Sequence, residues 1–156
     1  MLINQTQKAI LLIAFFVLII DRLAKSLALS IWQFEAVPLS SWFKLSFATN
    51  PNISFSLPFS GPLLYLGLLV AILILIYYCL SFLRQAQIWP SLFIGLIISG
   101  ALSNAFDRLR YGAVIDYLEL HNFSVFNLAD ALICTGSAAL IYYLLINDPI
   151  KQKPSH

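Results

Sequence analysis

Four long apolar segments dominate this chain and limit what it can fold into. They cover about residues 8–29, 62–83, 90–106 and 128–146. A helix crosses a bilayer with about 17–25 residues, each adding 1.5 Å of rise, so every segment is long enough for one span. We therefore predict an all-α membrane protein with four transmembrane helices, built as a single integral membrane domain over residues 1–156.

The composition excludes a soluble protein. Hydrophobic residues make up 60% of the chain and charged residues only 10%, whereas soluble domains carry about 25% charged residues. A soluble fold of 156 residues could not bury so much apolar surface. The net charge of +2 is small and the basic residues are scattered, so we expect no nucleic-acid partner.

The first apolar segment has one feature of a cleaved signal peptide, the small-residue sequence "LALS" at residues 27–30. However, Asp21, Arg22 and Lys25 lie between the apolar run and that sequence. Signal peptides do not place charge at this point. We therefore interpret the segment as a retained helix.

Two connections between the helices show the alternation of apolar and polar residues that is typical of strands. One lies between Trp32 and Asn50 and contains "WFKLSFA", and the other follows Gly112 and contains "VIDYLELHNF". We predict two or three short strands here, which form a small sheet on the outer face of the membrane. Aromatic residues near these strands suit the membrane interface.

Several ionisable residues lie close to the predicted helices, where a charge is costly and therefore suggests function. Asp21 and Lys25 are four residues apart on one helix face and can form an ion pair. Asn127 and Asp130 fit the cap and first turn of the fourth helix. Asp116 has no comparable explanation, because it lies in an otherwise apolar strand.

The end of the third segment carries Asn104, Asp107 and Arg108. Extension of long side chains towards the interface explains Arg108 and Asp107. It explains Asn104 poorly, because Asn104 lies one turn deeper.

The sequence lacks the residues of most hydrolytic sites. It contains two histidines, His121 and His156, and none of the serine-hydrolase, zinc-protease or phosphate-loop motifs. Cys79 and Cys134 lie in apolar runs without a metal-ligand spacing, so we expect buried free thiols and no metal or other cofactor. Two aspartates that share a proton remain as a catalytic resource.

Four motifs together resemble the lipoprotein signal peptidases, signal peptidase II, over almost the whole chain. They are "DRLAK" (21–25), "TNPNISFSL" (49–57), "GALSNAFDRLRYGAVIDYL" (100–118) and "FNLAD" (126–130). The resemblance implies an intramembrane aspartic endopeptidase with four transmembrane helices and a small extracytoplasmic β-cradle. It would remove the signal peptide from diacylglyceryl-modified prolipoproteins, cutting before the lipidated Cys.

The resemblance also implies the site residues. The family's catalytic aspartates correspond to Asp116 and Asp130. Its supporting and substrate-binding residues correspond to Asp21, Lys25, Asn50, Asn104, Arg108 and Asn127. To bring the two aspartates together, the connection over residues 118–126 has to fold back. We expect Asp130 to act as the base and Asp116 as the acid of the first step, because the helix dipole favours charge on Asp130.

The expected location is the bacterial inner membrane, with the active site at the periplasmic face and both termini in the cytoplasm. Lys and Arg residues divide four against five between the two sides, which decides little. Six of the seven acidic residues fall on the side away from the termini. They can pair with the basic residues of that side, which therefore count less as an indication of topology. The expected partners are prolipoprotein substrates and membrane lipids, and we expect a monomer.

The chain departs from the family pattern at two places. Asn52, Ile53 and Ser54 stand where the family usually has Gly-Ala-Ala, and Ser103 stands where it usually has Gly. Loss of Gly removes backbone freedom and close approach. Two other functions therefore stay open at this point: a proton-coupled transporter or channel subunit, and a catalytically idle binder of lipidated peptides.

Overall fold

A computed structural model describes residues 5–51 and 61–147. The helices are α1 (Gln5–Leu27), α2 (Pro62–Arg84), α3 (Ile88–Tyr111) and α4 (Leu128–Ile146), and a short π-helical segment, Ala28–Trp32, continues α1. The strands are β1 (Val37–Pro38), β2 (Phe43–Asn50) and β3 (Val114–Leu120). The predicted fold class, four helices with a small sheet, is confirmed.

Helix α3 lies at the centre of the bundle and packs against the other three helices. Its contact with α4 depends on two glycines, because a Cβ at Gly100 would collide with the backbone carbonyl of Ala129. A Cβ at Gly136 would lie 2.9 Å from Ile97 Cγ1. Small residues of this kind let two membrane helices approach closely. The close approach brings the first turn of α4 against α3.

Within the described residues, α2, α3 and α4 are long and apolar enough to cross a membrane. Helix α1 has 23 residues, as many as α2, but it carries Asp21, Arg22 and Lys25 towards its end. Asp21 and Lys25 are fully buried. Helix α1 therefore keeps Asp21 and Lys25 inside the bundle and presents many apolar residues on its outer surface, while Lys8 near its start is exposed.

The helix boundaries differ from the predictions at α3. The helix begins at Ile88, where Pro90 is tolerated in the first turn, and it ends at Tyr111, five residues beyond the predicted end at 106. The apolar pattern stops at 106, but a helix continues beyond it with charged residues. Gly112, with φ 74°, ends α3 by donating its N–H to the carbonyl of Arg108 over 3.0 Å.

The three strands form an antiparallel sheet in the order β1–β2–β3, which confirms the predicted strands. Ala48 of β2 lies opposite Asp116 of β3. Beyond β3 the chain turns back, and Phe126 exchanges backbone hydrogen bonds of 2.7 Å and 3.0 Å with Leu118. The predicted fold-back of residues 118–126 is confirmed, and it returns the chain to Asn127 beside β3.

The strands rest on the end of α1. Ala28, Ile115 and Tyr117 form a buried apolar cluster there. The Trp32 and Tyr117 rings lie 5.8 Å apart between centroids. This packing fixes β3 relative to α1.

Candidate active site

Asp116 and Asp130 belong to different elements but lie on either side of one side chain. Asp116 is on β3 and only 3% exposed, while Asp130 is in the first turn of α4 and partly buried. Asn127 donates its side-chain N–H to Asp116 Oδ1 over 2.6 Å. The Asn127 side-chain oxygen accepts the backbone N–H of Asp130 over 2.8 Å. One amide therefore orients both aspartates.

Asn127 can do this because it caps α4. Its backbone is extended, with φ −131° and ψ 171°, as is usual for the residue before a helix. Its side-chain N–H also donates to the carbonyl of Ile115 over 3.3 Å. The cap predicted from the sequence is confirmed. The Asn127 side-chain oxygen caps α4, and the NH2 group of the same amide donates to β3.

Two further amides contact the carboxylates. Asn104 donates its side-chain N–H to Asp130 Oδ1 over 2.7 Å. Asn50, at the end of β2, forms a side-chain hydrogen bond with Asp116. Each carboxyl group is thus held by donors that cannot themselves change charge.

The environment of Asp116 favours its protonated form. Burial, and then the negative charge of Asp130, raises the pKa of Asp116 to about 6, while Asn127, Lys25 and Asn50 act against this rise. An ordinary Asp has a pKa of about 3.9. Asp116 therefore keeps a proton at pH values where most aspartates are ionised.

A buried ion network supports the site from the side of α1. The Lys25 ammonium lies 3.0 Å from Asp21 Oδ2 and 2.7 Å from Asp107 Oδ2, and Arg22 also pairs with Asp107. Lys25 donates to Asn104 Oδ1 over 2.8 Å. Because Asn104 in turn holds Asp130, the network reaches the candidate catalytic group through a single amide.

The interpretation that Asp107 extends towards the interface is wrong. Asp107 is fully buried, because Arg22 and Lys25 from α1 neutralise it and the backbone N–H of Ile115 donates to it over 3.3 Å. Two acidic and two basic side chains balance within this network. A balanced, hydrogen-bonded set is the arrangement in which buried charges are tolerated.

Arg108 also lies at the site rather than reaching away from it. Its guanidinium is half-buried and interacts electrostatically with Asp130, Asp107 and Asp116. It donates to the backbone carbonyl of Asn104 over 3.4 Å, and the Tyr65 hydroxyl donates to the carbonyl of Arg108 over 3.2 Å. Arg108 thus supplies a positive charge close to both Asp116 and Asp130.

All eight residues that were predicted for the site meet in this region of the structure. They are Asp21, Lys25, Asn50, Asn104, Arg108, Asp116, Asn127 and Asp130. Sequence reasoning missed Arg22 and the Tyr117 hydroxyl as contributors. The end of α1 held a signal for Arg22, because Arg22 and Lys25 exceed Asp21 by one charge there and need a further acidic partner, whereas a tyrosine in a strand gives no such signal.

The two departures from the family pattern have different outcomes. Ser103 is buried, and its hydroxyl donates to Asp21 Oδ2 over 2.5 Å and accepts from Lys25 over 3.3 Å. The serine therefore joins the ion network. Asn52 lies outside the described residues.

Both cysteines are free, as predicted. Cys79 is buried on α2, and its thiol donates to the carbonyl of Ser91 over 3.7 Å. The expected burial of Cys134 is wrong, because its side chain is on the outward surface of α4. In the described part of the chain, no group of three or more His, Cys, Asp or Glu side chains is arranged to hold a metal ion.

These features define a class: a helical membrane protein with two hydrogen-bonded carboxyl groups, one buried and the other partly so, where a small sheet meets the bundle. The sequence model of the family described as signal peptidase (SPase) II matches residues 13–146. The chain therefore belongs to the signal peptidase II family, which confirms the resemblance.

Individual relatives agree with this assignment. The chain is 36% identical to a lipoprotein signal peptidase of Moorella thermoacetica over 138 residues, which cover 87% of this chain and 92% of the relative. It is 38% identical to a lipoprotein signal peptidase of Beijerinckia indica over 139 residues, 83% of each chain. The fold is similar to that of a bacterial membrane enzyme determined by the in meso method, with a TM-score of 0.79, 22% identity and coverage of 96% and 94% of the two chains.

Proposed function

We propose that this protein is an aspartic endopeptidase that removes the signal peptide from diacylglyceryl-modified prolipoproteins, cutting before the lipidated Cys. Membership of the signal peptidase II family and the lipoprotein signal peptidases among its relatives support the reaction. The observation that carries the aspartic mechanism is the Asn127 amide, which binds the Asp116 carboxylate and the backbone of Asp130 at once.

In the proposed mechanism, Asp130 is ionised and Asp116 is protonated at the start. Asp130 takes a proton from water, whose oxygen attacks the carbonyl carbon of the scissile bond. Asp116 gives its proton to the carbonyl oxygen, which yields a tetrahedral diol. When the diol collapses, the C–N bond breaks, Asp130 passes its proton to the amine of the lipidated Cys, and Asp116 recovers a proton from the diol.

The other polar residues have supporting roles in this proposal. Asn104 and Asn127 orient the two aspartates, and Asn50 limits the movement of Asp116. Arg108 balances the single negative charge that the two carboxyl groups carry between them throughout these steps. No resident cofactor takes part.

The proposed location is the bacterial inner membrane, with the site at the periplasmic face and both termini in the cytoplasm. The acyl chains of the substrate then stay in the bilayer while the scissile bond reaches the carboxyl groups at the interface. Fusion of a topology reporter after Lys153 tests this orientation. A reporter that is active only in the periplasm would contradict it.

A proton-coupled transporter is not favoured. It would use Asp21, Asp107 and Asp130 as a relay, but Asp21 and Asp107 are held in ion pairs with Lys25. A group that is fixed as the partner of a buried cation is poorly suited to exchange protons.

Cleavage of a diacylglyceryl-modified prolipoprotein, followed on an SDS gel, tests the proposal. Asp116→Asn and Asp130→Asn should each abolish cleavage, and the double variant should be little worse than either one, because the two groups act as a unit. Glu119→Gln is a matched control on the same strand, because Glu119 pairs with Lys44 away from the site, and it should cleave normally.

The same assay on the wild-type protein distinguishes an enzyme from a binder without activity. Wild-type protein that binds the lipidated substrate but yields no product would be a catalytically idle binder. Near-normal cleavage by either aspartate variant would rule out the two-aspartate mechanism.

A further inference from the structure

The Tyr117 hydroxyl is buried next to the proposed dyad but does not belong to it. Tyr117 follows Asp116 in β3, is 3% exposed, and points to the opposite face of the strand. Its hydroxyl donates to Asp21 Oδ1 over 3.0 Å and accepts the backbone N–H of Leu128 over 3.2 Å. Leu128 is the first residue of α4. One hydroxyl thus connects the strand of Asp116 to the helix of Asp130.

The start of α4 shows what this contact contributes. The first N–H groups of a helix have no partner within the helix. Here the N–H of Leu128 donates to Tyr117, that of Ala129 donates to Asp21 over 3.1 Å, and that of Asp130 donates to Asn127 over 2.8 Å. Three consecutive N–H groups are therefore held by three side chains.

The Asp21 carboxylate ties two of these contacts to the rest of the bundle. Its Oδ1 accepts from Tyr117 and from the backbone of Ala129, and its Oδ2 accepts from Ser103 and Lys25. These partners come from α1, α3, β3 and α4. Asp21 therefore connects the first turn of α4 to three other elements.

We propose that the Tyr117 hydroxyl is a positioning group, which sets the orientation of the first turn of α4 and thereby places Asp130 relative to Asp116. This inference rests on the proposed function. The hydroxyl is well suited to the task, because burial and the negative charge of Asp21 raise the pKa of Tyr117. Tyr117 therefore stays protonated and remains a donor to Asp21 throughout the physiological pH range.

The alternative is that Tyr117 only fills space. Its ring packs in the apolar cluster with Ile115 and Ala28 and contacts Trp32. Tyr117→Phe keeps this ring and removes only the hydroxyl. It leaves the Leu128 N–H without its acceptor and Asp21 with one donor fewer.

The test compares Tyr117→Phe with Tyr142→Phe, a hydroxyl deletion at an outward position of α4 that is 67% exposed. Purified full-length proteins cleave the lipidated prolipoprotein, and kcat and KM are measured separately. Misplacement of a catalytic group by about 1 Å can cost on the order of 100-fold in rate. We expect Tyr117→Phe to lower kcat by about 10- to 100-fold while KM changes less than about twofold, and Tyr142→Phe to match wild type.

A double-variant cycle shows whether the hydroxyl acts through Asp21. Asp21→Asn with Tyr117→Phe should lower kcat by less than the product of the two single losses, because both changes affect the hydrogen bond between Tyr117 and Asp21. Full additivity of the two losses would contradict this route. Unchanged kcat in Tyr117→Phe would overturn the proposal, as would a loss that is fully explained by a smaller folded fraction in thermal unfolding.

Measurement of Asp116→Asn in the same assay distinguishes failure of the positioning role from failure of the proposed aspartic mechanism. If Asp116→Asn is inactive and Tyr117→Phe is normal, only the positioning role fails. If Asp116→Asn cleaves normally, the proposed aspartic mechanism fails instead.

Discussion

Asn127 and Asp116 share a 2.6 Å hydrogen bond across the gap between helix α4 and strand β3. Because the same Asn127 side chain also caps α4 at Asp130, the position of the helix start and the position of the buried carboxyl group are not independent. The stability of a helix cap and the geometry of the proposed dyad depend on one residue.

Replacement of Asn127 should separate these two contributions. Asn127→Ala removes the cap, which costs about 1 kcal/mol, and also releases Asp116, so cleavage should fall by about two orders of magnitude. Asn127→Asp keeps a good cap but places a carboxylate against Asp116. It should lose cleavage although the cap is kept, and its unfolding midpoint should fall because the new carboxylate is buried against the Ile115 carbonyl and Asp116.

The matched control for this prediction is Asn147→Ala at the other end of α4. Asn147 follows the last residue of α4, at the opposite end of the helix from Asn127. Its side-chain N–H donates to the carbonyl of Tyr143 over 2.9 Å. Cleavage should be normal in this variant. An active Asn127→Asp protein would contradict the link between Asn127 and the dyad.

The pH dependence of cleavage should follow Asp116. With Asp116 as the acid, kcat/KM reports the free enzyme and should fall as the pH rises through about 6, where Asp116 loses its proton. Bound substrate excludes more water from the carboxyl group, so the corresponding fall in kcat should occur at higher pH. A kcat/KM profile that rises steadily through this range would contradict the assignment.

Thermal unfolding provides an independent check of the same pKa. The pKa of Asp116 rises from 3.8 to about 6 on folding, so its contribution to stability is fully present below pH 3.8 and is lost as the pH rises through about 6. Asp116→Asn cannot ionise, so the variant does not lose this stability as the pH rises. Its unfolding midpoint should therefore exceed that of wild type above about pH 6, with little difference near pH 3.8.

Gly100 should be intolerant of even a methyl group. A Cβ there would meet the Ala129 carbonyl and would lie 2.9 Å from Ile133 Cγ1, so Gly100→Ala should displace the first turn of α4 and lower both stability and cleavage. At Gly67 on α2 a Cβ would meet nothing within 4 Å. Gly67→Ala should therefore match or exceed wild-type stability, since Ala favours a helix by about 1 kcal/mol. Equal behaviour of the two variants in a thermal unfolding assay would contradict the close approach of α3 and α4.

The two thiols should be dispensable. The Cys79→Ala, Cys134→Ala protein should keep near-full cleavage, with a stability loss of about 1 kcal/mol from the small cavity at buried Cys79. Metal chelators should not affect either protein. Activity that is lost on chelation and restored by a metal ion would reveal a metal requirement.

The sequence predicted those parts of the site that depend on local patterns. The cap at Asn127 and the first-turn position of Asp130 follow from short-range rules for helix starts, and the strand at Asp116 follows from alternation. The family motifs supplied the roles of the same residues. The structure then placed them together through the fold-back at Phe126.

Contacts between distant segments were harder to predict. Asp107 resembled an interfacial residue because nothing near it in the sequence shows that Arg22 and Lys25 lie opposite on α1. The Tyr117 hydroxyl was missed for the same reason, since its partners Asp21 and Leu128 come from two other elements. The order in which helices pack decides these contacts, and hydrophobic periodicity does not specify that order.

The buried ion network has a consequence for how the protein is made. Asp21, Arg22 and Lys25 leave the end of α1 with one excess positive charge until Asp107 arrives, and Arg22 and Asp107 are 85 positions apart in the chain. During synthesis, α1 therefore emerges well before the residue that neutralises it, and a charge without a partner is expensive inside a bilayer. We therefore expect the charged end of the first helix to reach its final depth only when the third helix enters the membrane, which would couple the insertion of one helix to the arrival of another.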